Sequence, residues 1–578
     1  MRGPHEAECR KICTERFLQA LICSTGLQFI VLSAFLLILN FDILHPVAWV
    51  YGSVGMFFSI YTWIRIIPVI GSVIVYGKML ARHLVSPPKM YRTRFYLHLL
   101  SEEMIFLTIA HGVVGFFLMW LSIRFLPDEY NSAVMDCDGS WCYNDKYFFF
   151  MLTGIVTAVI FNKKEVQVTE NLVEFPVIMQ GKYQRMKSNF SEIFFKSVTN
   201  AIFSSVAYII FYWPLVGGLI KWILEQVFVI RFSQESIMDS VINILLDWRV
   251  LLFHLIITSL IQINLHLIKR FFVVFLSEYH AFPIVRLLGV AAEQELTLAE
   301  ALAAHQMPVI QNLACQDLFM IANGSDSSRR RDVFTLSIPG GHPHNWKSIM
   351  TQCLSMLNSF TQNLTKSMEG LSKKPLIATK RVFVKPTATD EAERILQTQY
   401  CEGLRIRSAI SGQEMPQTDN PVNKNFYTIQ DLKDLLKKWL GNRWNAMIKQ
   451  RPFSFFFAEA SYQDIFFQMR QAQGIAYIVQ ALAALTEKSI EEDRFGVVQN
   501  DLADIIKAFL QLKTILDKIG GNLMLGERRI DRNYLTLKGA VKRSLYRISN
   551  TFSPYLRDLR LSEGELKLLS HFITYKEA

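Results

Sequence analysis

The chain is poor in charged residues. Aspartate, glutamate, lysine and arginine make up 19% of its 578 residues, whereas 51% are hydrophobic. Soluble globular domains contain about 25% charged residues, so this composition excludes an ordinary soluble enzyme. The sequence also has no Gly-rich phosphate loop, no His-Glu-x-x-His zinc motif and no Gly-x-Ser-x-Gly nucleophile elbow. These absences remove the usual signatures of nucleotide hydrolysis, zinc proteolysis and serine hydrolysis.

Long uncharged apolar runs are present instead, and they are concentrated before residue 280. A hydrocarbon core of about 30 Å requires about 20 apolar residues in a helix. The fourth run is shorter than this and would need local thinning of the bilayer. The sequence predicts an all-α membrane domain at 17–276, followed by a mainly helical tail. The six predicted transmembrane helices are 17–39, 47–69, 104–123, 147–161, 201–220 and 250–268.

Basic residues alternate between the predicted loops. Four precede the first span and five lie between the second and third spans, but only Lys146 lies among five acidic residues in the next loop. They are frequent again after the fourth span, and Lys269 and Arg270 follow the sixth. Lys and Arg accumulate in cytoplasmic loops, so we expect both termini, including the basic leader 1–16, on the cytoplasmic side.

Acidic residues are absent from the centres of the predicted spans. Intramembrane ionisable groups mark ion and proton pathways, so their absence disfavours an ion-coupled carrier. His111, His254 and His266 do lie within spans, where hydrogen bonds between helices account for neutral imidazoles. The alternative is an endoplasmic reticulum membrane enzyme or facilitative transporter that uses these histidines in a cavity.

Two cysteines fall in the acidic loop that the charge alternation places in the lumen. Cys137 and Cys142 could form a disulfide in that oxidising compartment. Two free thiols fit the sequence equally well, so both interpretations stay open.

The tail has amphipathic periodicity and no long strand pattern. Its first part is 277–371, its linker 372–424 is rich in proline and poor in periodicity, and its second helical part is 425–578. In the first part a helix is interrupted at Pro308, and Asn323-Gly324 should end it in a left-handed cap.

A basic amphipathic helix is predicted at 428–450 in the second part. Its basic flanks and its tryptophan suit a helix that lies on an anionic leaflet. The alternative is a helix of the tail core with a solvated basic rim. The candidate membrane-surface residues are Leu432, Leu436, Lys437, Trp439, Leu440 and Arg443.

Residues 328–346, SRRRDVFTLSIPGGHPHNW, combine three arginines with two histidines. His342 and His344 supply only two ligands, and no nearby cysteine or carboxylate pair completes a zinc tetrahedron. The arginines form either an anion site or a solvated basic turn, and the solvated turn is favoured. No metal site is therefore expected here.

The same stretch has a structural interpretation as a joint. Phe334, Leu336 and Ile338 should pack an extended segment on the helices before Pro339-Gly340-Gly341 reverses the chain. Asn345 should then cap a long helix to residue 371, which Trp346 staples. The candidate joint and partner surface consists of Arg329, Arg330, Arg331, Phe334, His342, His344 and Trp346.

Five motifs occur in order along both halves of the chain. They are DILHPVAW at 42–49, EYHAFPI at 278–284, LACQDL at 313–318, SRRRDVFTLSIPGGHPHNW at 328–346 and EEDRFGVVQ at 491–499. With the six-span plan, they resemble the nuclear division cycle protein one family of transmembrane nucleoporins. The 372–424 linker is shorter than in vertebrate members, so partner or phosphorylation sites in that longer linker do not carry over.

The resemblance implies an integral protein of the nuclear pore membrane that anchors the pore scaffold and supports pore assembly. It implies no catalysis, no cofactor, no small-molecule substrate and no direct contact with nucleic acid. The implied partners of the tail are inner-ring scaffold nucleoporins, an aladin-type propeller nucleoporin, other pore-membrane proteins and the nuclear envelope bilayer.

Overall fold

The computed structural model describes most of both halves of the chain. The described residues are 4–85, 101–137, 140–167, 173, 175–176, 180–212, 244, 246–285, 296–325, 327–336, 341–372, 463–524 and 532–574. The chain divides into two units, residues 1–368 with 462–578 and residues 369–461. The helices, contacts and sites below belong to the first unit, apart from the last turn of one helix that ends at Ser372.

The membrane half is helical apart from one short hairpin in its described residues, and this confirms the all-α prediction. In the hairpin, Val134 lies opposite Tyr143 in antiparallel register. The π-helical turn Asn162–Gln167 continues helix α6. The elements are α1 (Pro4–Leu39), α2 (Pro46–Phe57), α3 (Ile60–Val85), α4 (Glu102–Ile123), α5 (Asp128–Asn131), β1 (Val134–Cys137), β2 (Ser140–Tyr143), α6 (Asp145–Phe161), α7 (Lys182–Phe211) and α8 (Trp248–Leu276).

Six of the described helices are long and apolar enough to cross a membrane, and the six-span prediction is confirmed in number. Large apolar side chains such as Ile30, Ile67 and Ile210 are exposed on the outside of these helices. An apolar exterior is what hydrocarbon requires. The six candidate spans are Ala7–Leu39, Ile60–Ala81, Glu102–Ile123, Asp145–Glu165, Lys182–Ile210 and Trp248–Leu276.

The predicted second span at 47–69 is wrong in position. The helix breaks at Phe58 and Ser59, so that α2 has only 12 residues, or about 18 Å, and cannot span. The Thr62 hydroxyl donates to the Met56 carbonyl at 2.8 Å across the break. The second span is instead α3. The apolar run in the sequence continues from α2 into α3 and gives no sign of the break between them.

The fourth and fifth spans also differ from their predicted bounds. The fourth runs from Asp145 to Glu165, which is 21 residues rather than 15, because helical structure continues past Phe161. The expected shortfall in length is therefore absent. The fifth begins at Lys182 instead of 201, and residues 213–220 of the prediction lie outside the described residues.

Two of the interhelical contacts in the described part of the bundle are especially close or reciprocal. Gly115 on α4 faces Gly154 on α6 so closely that a Cβ on Gly115 would lie 2.2 Å from the Gly154 carbonyl oxygen. Gln28 on α1 and Asn264 on α8 exchange two side-chain hydrogen bonds at 3.1 and 2.8 Å. Small residues and paired amides are the usual means of helix association in lipid.

The described part of the tail is a helical bundle with an apolar core. Helix α14 packs against both α10 and α16. Trp346 and Phe509 are among its largest fully buried side chains. The helices are α9 (Leu298–Leu302), α10 (Pro308–Asn323), α11 (Ser327–Phe334), α12 (His344–Ser372), α13 (Gln463–Met469), α14 (Ala472–Glu492), α15 (Leu502–Met524), α16 (Arg532–Thr551) and α17 (Glu563–Ile573).

Pro308 separates α9 from α10, as predicted, because it begins α10 at a position that needs no N–H donor. The left-handed cap at Gly324 is wrong, since its φ is −65° and its ψ is 157°. The extended segment is wrong at its start, because residues 327–334 are helical. Ile338 lies outside the described residues.

Asn345 is not the N-cap of the long helix, because α12 already begins at His344. Its side-chain amide instead donates to the Asp332 carbonyl at 3.1 Å and to the Thr335 hydroxyl at 3.2 Å. Asn345 therefore ties the end of α11 to the start of α12.

Candidate functional site

Arg329, on α11, binds the buried carboxylate of Asp317 on α10. The two guanidinium Nη atoms donate to the two Asp317 oxygens at 2.9 and 3.0 Å. Asp317 also accepts the Tyr279 hydroxyl at 2.7 Å and the Phe282 backbone N–H at 2.8 Å. Arg329 in turn donates to the Phe282 carbonyl at 2.8 Å. The segment that leaves the last span is thus held on two tail helices.

The ionisation states at this contact are fixed by the contact itself. Burial and the neighbouring Asp317 carboxylate raise the pKa of Tyr279 to about 12. The hydrogen bonds from Arg329 to Asp317 raise the pKa of the guanidinium. Tyr279 therefore remains a hydrogen-bond donor and Arg329 remains charged throughout the physiological pH range.

Arg330 forms a second ion pair, with Glu492 at the end of α14. Its Nε and Nη2 atoms donate to the two carboxylate oxygens at 2.7 and 2.6 Å, and its Nη1 atom donates to the Gly324 carbonyl at 2.8 Å. Only 6% of the Arg330 side chain and 12% of the Glu492 side chain are exposed. Removing one partner of a buried pair costs about 3–5 kcal/mol because the other charge is left unpaired.

The start of α12 is held by Trp346. Its ring is fully buried, its Nε1 donates to the Asp501 carboxylate at 2.9 Å, and it lies 6.0 Å from the ring of Phe334. Trp346 thus joins the start of α12 to Phe334 and to Asp501, and Asp501 lies 155 residues away in sequence.

The solvated basic turn is a wrong prediction for two of the three arginines. Arg329 and Arg330 are neutralised by carboxylates inside the protein, so they are not available to an external anion. Arg331 is exposed, as are His342 and His344. The described parts of the chain contain no group of three or more His, Cys, Asp or Glu side chains that could hold a metal ion.

Sequence reasoning missed the two acidic partners. Asp317 lies in the motif at 313–318 on an otherwise apolar helix face. A single acidic residue in such a position predicts a cationic partner, because a buried carboxylate must be paired. Glu492 belongs to the motif at 491–499. These motifs, EYHAFPI and the arginine stretch thus converge on one contact region, which we call the arginine joint (Tyr279, Phe282, Asp317, Arg329, Arg330, Glu492).

A second attachment joins the loop after the fourth span to the tail. The Gln473 side chain on α14 accepts the Phe175 N–H at 3.3 Å and donates to the Phe175 carbonyl at 2.5 Å. The Tyr477 hydroxyl donates to the same carbonyl at 3.2 Å, and Gln316 donates to the Pro176 carbonyl at 2.7 Å. The membrane half and the tail are therefore joined at two separate places.

Residues 11–570 match the family described as nucleoporin protein Ndc1-Nup. The chain belongs to this nucleoporin family. It is 29% identical to Nucleoporin Ndc1 of Drosophila melanogaster over 576 residues, which cover 98% of each chain. It is 23% identical to Nucleoporin NDC1 of Homo sapiens over 651 aligned positions, which cover 94% of each chain. Both the predicted family and the predicted absence of enzymatic function are thereby confirmed, and the protein is a nucleoporin of the nuclear pore membrane.

The three span histidines of this Ndc1-family chain are packing residues. His254 bonds the Thr153 hydroxyl at 3.3 Å and stacks 5.8 Å from the Tyr208 ring, and His266 bonds Asn200 at 3.3 Å. His111 bonds the Leu107 carbonyl of its own helix at 2.8 Å and lies edge-to-face 4.5 Å from the Tyr76 ring on α3.

A small cavity of about 30 Å³ does lie within the Ndc1-family bundle, but none of these histidines lines it. Its polar lining includes the amides of Gln28 and Asn264. The cavity therefore gives the alternative membrane-enzyme interpretation no reactive group.

Two predicted sites fall largely outside the described parts of the chain. The whole 428–450 helix does so, with Leu432, Leu436, Lys437, Trp439, Leu440 and Arg443. The backbone of the hairpin pairs Cys137 with Ser140 and Cys142 with Met135, but the side chains of the two cysteines are not among those described. The surface helix and the lumenal disulfide therefore stay predictions.

Proposed function

We propose that this nucleoporin anchors the pore scaffold in the nuclear envelope and supports pore assembly, with its tail recruiting soluble nucleoporins. The observation that carries the proposal is the double attachment of the tail to the membrane half. One attachment is the arginine joint and the other is Gln473 bound to Phe175. An anchor must transmit force from a bound partner to the lipid-embedded helices, and two separate attachments resist rotation as well as separation.

The proposed orientation places both termini on the cytoplasmic and pore side. Arg16, near the start of the first span, donates to the Leu276 carbonyl at the end of the sixth at 3.1 Å. Lys182, at the start of the fifth span, pairs with Glu278 at 2.8 Å. These contacts support a common side for the two termini, and the basic loops support its being cytoplasmic.

The proposed scaffold-binding surface is narrower than the sequence suggested. Arg330, Phe334 and Trp346 are buried, so they support the joint and cannot contact a partner directly. The exposed members are Arg331, His342 and His344. Phe495 lies on the α14–α15 connection, three residues after Glu492, and is 60% exposed, which adds an aromatic anchor of the kind found at interface hot spots.

The proposed partners are inner-ring scaffold nucleoporins, an aladin-type propeller nucleoporin and other pore-membrane proteins. A charge-reversal variant of the exposed surface, Arg331→Glu with His344→Glu, should keep the tagged protein at the nuclear rim and reduce co-purification of scaffold nucleoporins. A Lys366→Glu variant, at an exposed position on the same helix as His344, is the matched control. Undiminished co-purification in the double variant would contradict recruitment by this surface.

The 428–450 helix is proposed to lie on an anionic leaflet. A peptide of residues 426–451 should bind vesicles that contain phosphatidylserine and should become helical on binding. The same peptide with Trp439→Ala and Leu440→Ala should bind much more weakly. Equal helicity with and without anionic vesicles would place the helix in the tail core instead.

A further inference from the structure

Three lysines and one glutamate meet at one end of the fourth, fifth and sixth spans. The Lys196 ammonium pairs with the Glu165 carboxylate at 2.6 Å, and the Lys269 ammonium donates to the Glu165 carbonyl at 2.7 Å. Lys164 donates to the side-chain oxygen of Asn200 at 2.7 Å, and Asn200 donates to Glu165 at 3.2 Å. We call Lys164, Lys196 and Lys269 with Glu165 the lysine cluster.

The lysine cluster has more positive charge than its own carboxylate can balance. Within the cluster, only Lys196 contacts the Glu165 carboxylate, whose side chain is 4% exposed, whereas Lys269 and Lys164 donate to uncharged oxygens. Lys164 is exposed, and 47% of the Lys196 side chain is exposed. The surplus charge is therefore available on the outer surface of the bundle.

The cluster lies at the depth of the lipid headgroups. Asp247, which caps the start of α8, and Lys269 on α8 are separated by 22 residues, or about 33 Å, which matches a hydrocarbon core of about 30 Å. Asp247 pairs with Lys146 at 2.9 Å at the opposite end of the bundle. Two polar layers thus bracket the apolar part of the spans, and the lysine cluster forms one of them.

An apolar surface extends from the cluster along the fifth span. The Lys164 ammonium lies 4.8 Å from the centre of the Phe203 ring, and Phe203 is 56% exposed. Ile202, Val206 and Ile210 continue on the outside of the same helix at 51%, 52% and 62% exposure. A ligand with a negative head and an apolar tail would match both features at once.

We propose that the lysine cluster binds the phosphate headgroup of an anionic phospholipid, with an acyl chain along Phe203 and the outer face of the fifth span. Basic sites between membrane helices on the cytoplasmic side recognise such headgroups. The lipid would supply the second negative charge that Glu165 alone does not provide. This inference does not depend on the scaffold function proposed above.

Native mass spectrometry of the full-length protein in detergent tests the proposal. The protein is titrated with phosphatidylserine and, separately, with phosphatidylcholine. We expect phosphatidylserine to be retained preferentially and a Lys164→Gln, Lys196→Gln variant to bind it about thirtyfold more weakly, since each lysine near an anionic headgroup contributes about a fivefold factor. Lys187→Gln is the matched control and should bind normally, because Lys187 is an exposed lysine on α7, nine residues before Lys196 and outside the cluster.

Two further arms keep the outcome decisive. Lys164→Gln alone leaves the Lys196–Glu165 pair intact and should still weaken binding, while Lys164→Arg with Lys196→Arg should restore it. Inorganic phosphate at millimolar concentration should not displace the lipid if the apolar face contributes. Equal retention of the two lipids, or unchanged phosphatidylserine binding in a folded double variant, would overturn the proposal.

Discussion

The carboxamide of Gln473 brackets the backbone of Phe175, accepting its N–H and donating to its carbonyl. This side chain does for the loop what a neighbouring strand does in a sheet. It satisfies both backbone polar groups of Phe175, which would otherwise be buried against the tail without hydrogen-bond partners. Burying an unpaired peptide group costs about 1–3 kcal/mol.

Gln473→Ala should therefore release the loop after the fourth span from the tail. We expect the Phe175 amide to exchange with solvent at least about tenfold faster, which corresponds to the loss of one such hydrogen-bonded contact. Hydrogen exchange of the full-length protein in detergent measures this directly. Gln480→Ala, two turns along the same helix, is the control and should leave exchange at Phe175 unchanged. Equal exchange in both variants would mean that Tyr477 and Gln316 hold the loop without Gln473.

Arg330→Ala should destabilise the tail by about 3–5 kcal/mol, because the Glu492 carboxylate would remain largely buried without its partner. Arg331→Ala, at the adjacent and exposed position, should change stability by less than about 0.5 kcal/mol. The two variants are compared by unfolding them in denaturant, with hydrogen exchange in α14 and α15 as the readout. Similar losses in both would indicate that the charge of the helix, not the ion pair, stabilises this region.

The Arg330–Glu492 pair should make the tail sensitive to acid. The hydrogen bonds from Arg330 lower the pKa of Glu492 below its ordinary value of 4.5. A carboxyl group with a lowered folded-state pKa contributes stability above its unfolded pKa, and this contribution is lost as pH falls through the folded value. The free energy of unfolding should therefore decrease below about pH 4.5, and part of that decrease should be absent in Glu492→Gln.

Glu491→Gln is the control for this pH dependence, because the Glu491 side chain is 75% exposed beside Lys488. Its unfolding free energy should follow the pH profile of the unmodified protein. Burial raises the pKa of Asp517, but its hydrogen bonds to Lys538 and Lys513 outweigh burial and lower this pKa overall. Asp517 therefore adds its own acid sensitivity, and only the difference between variants isolates the contribution of Glu492. Parallel profiles for Glu492→Gln and the unmodified protein would contradict the assignment.

Gly115→Ala should disrupt the contact between the third and fourth spans. The added methyl would lie 2.2 Å from the Gly154 carbonyl oxygen, so the helices must separate. Overpacking of this kind typically costs about 1–3 kcal/mol and should lower the thermal unfolding temperature in detergent. Gly112→Ala, one turn earlier, would meet its nearest atom, Ile155 Cγ2, at 3.5 Å and should be tolerated. Equal unfolding temperatures for the two variants would show that the helices adjust without loss.

Particular elements show how far the sequence could predict this fold. The number of spans follows from apolar runs, because each helix in lipid must satisfy its own backbone hydrogen bonds whatever lies beside it. The break at Phe58 and Ser59 does not follow from apolar runs, since the sequence is apolar on both sides of it. The extension of the fourth span to Glu165 was likewise hidden, because a carboxylate is tolerated there only with Lys196 and Asn200 beside it.

The sequence by itself determined the class of protein, the number of spans and the family, because composition, run length and ordered motifs are properties of the chain alone. Only the tertiary structure decided what the arginine stretch does. Arg329 meets Asp317 12 residues away, but Arg330 meets Glu492 162 residues away, and neither pairing is encoded in local spacing. The packing of α10, α11 and α14 pairs both arginines with carboxylates and buries Arg330 almost completely. A desolvated charge must be paired, so what the sequence alone suggested to be a solvated turn is an internal ion-pair joint.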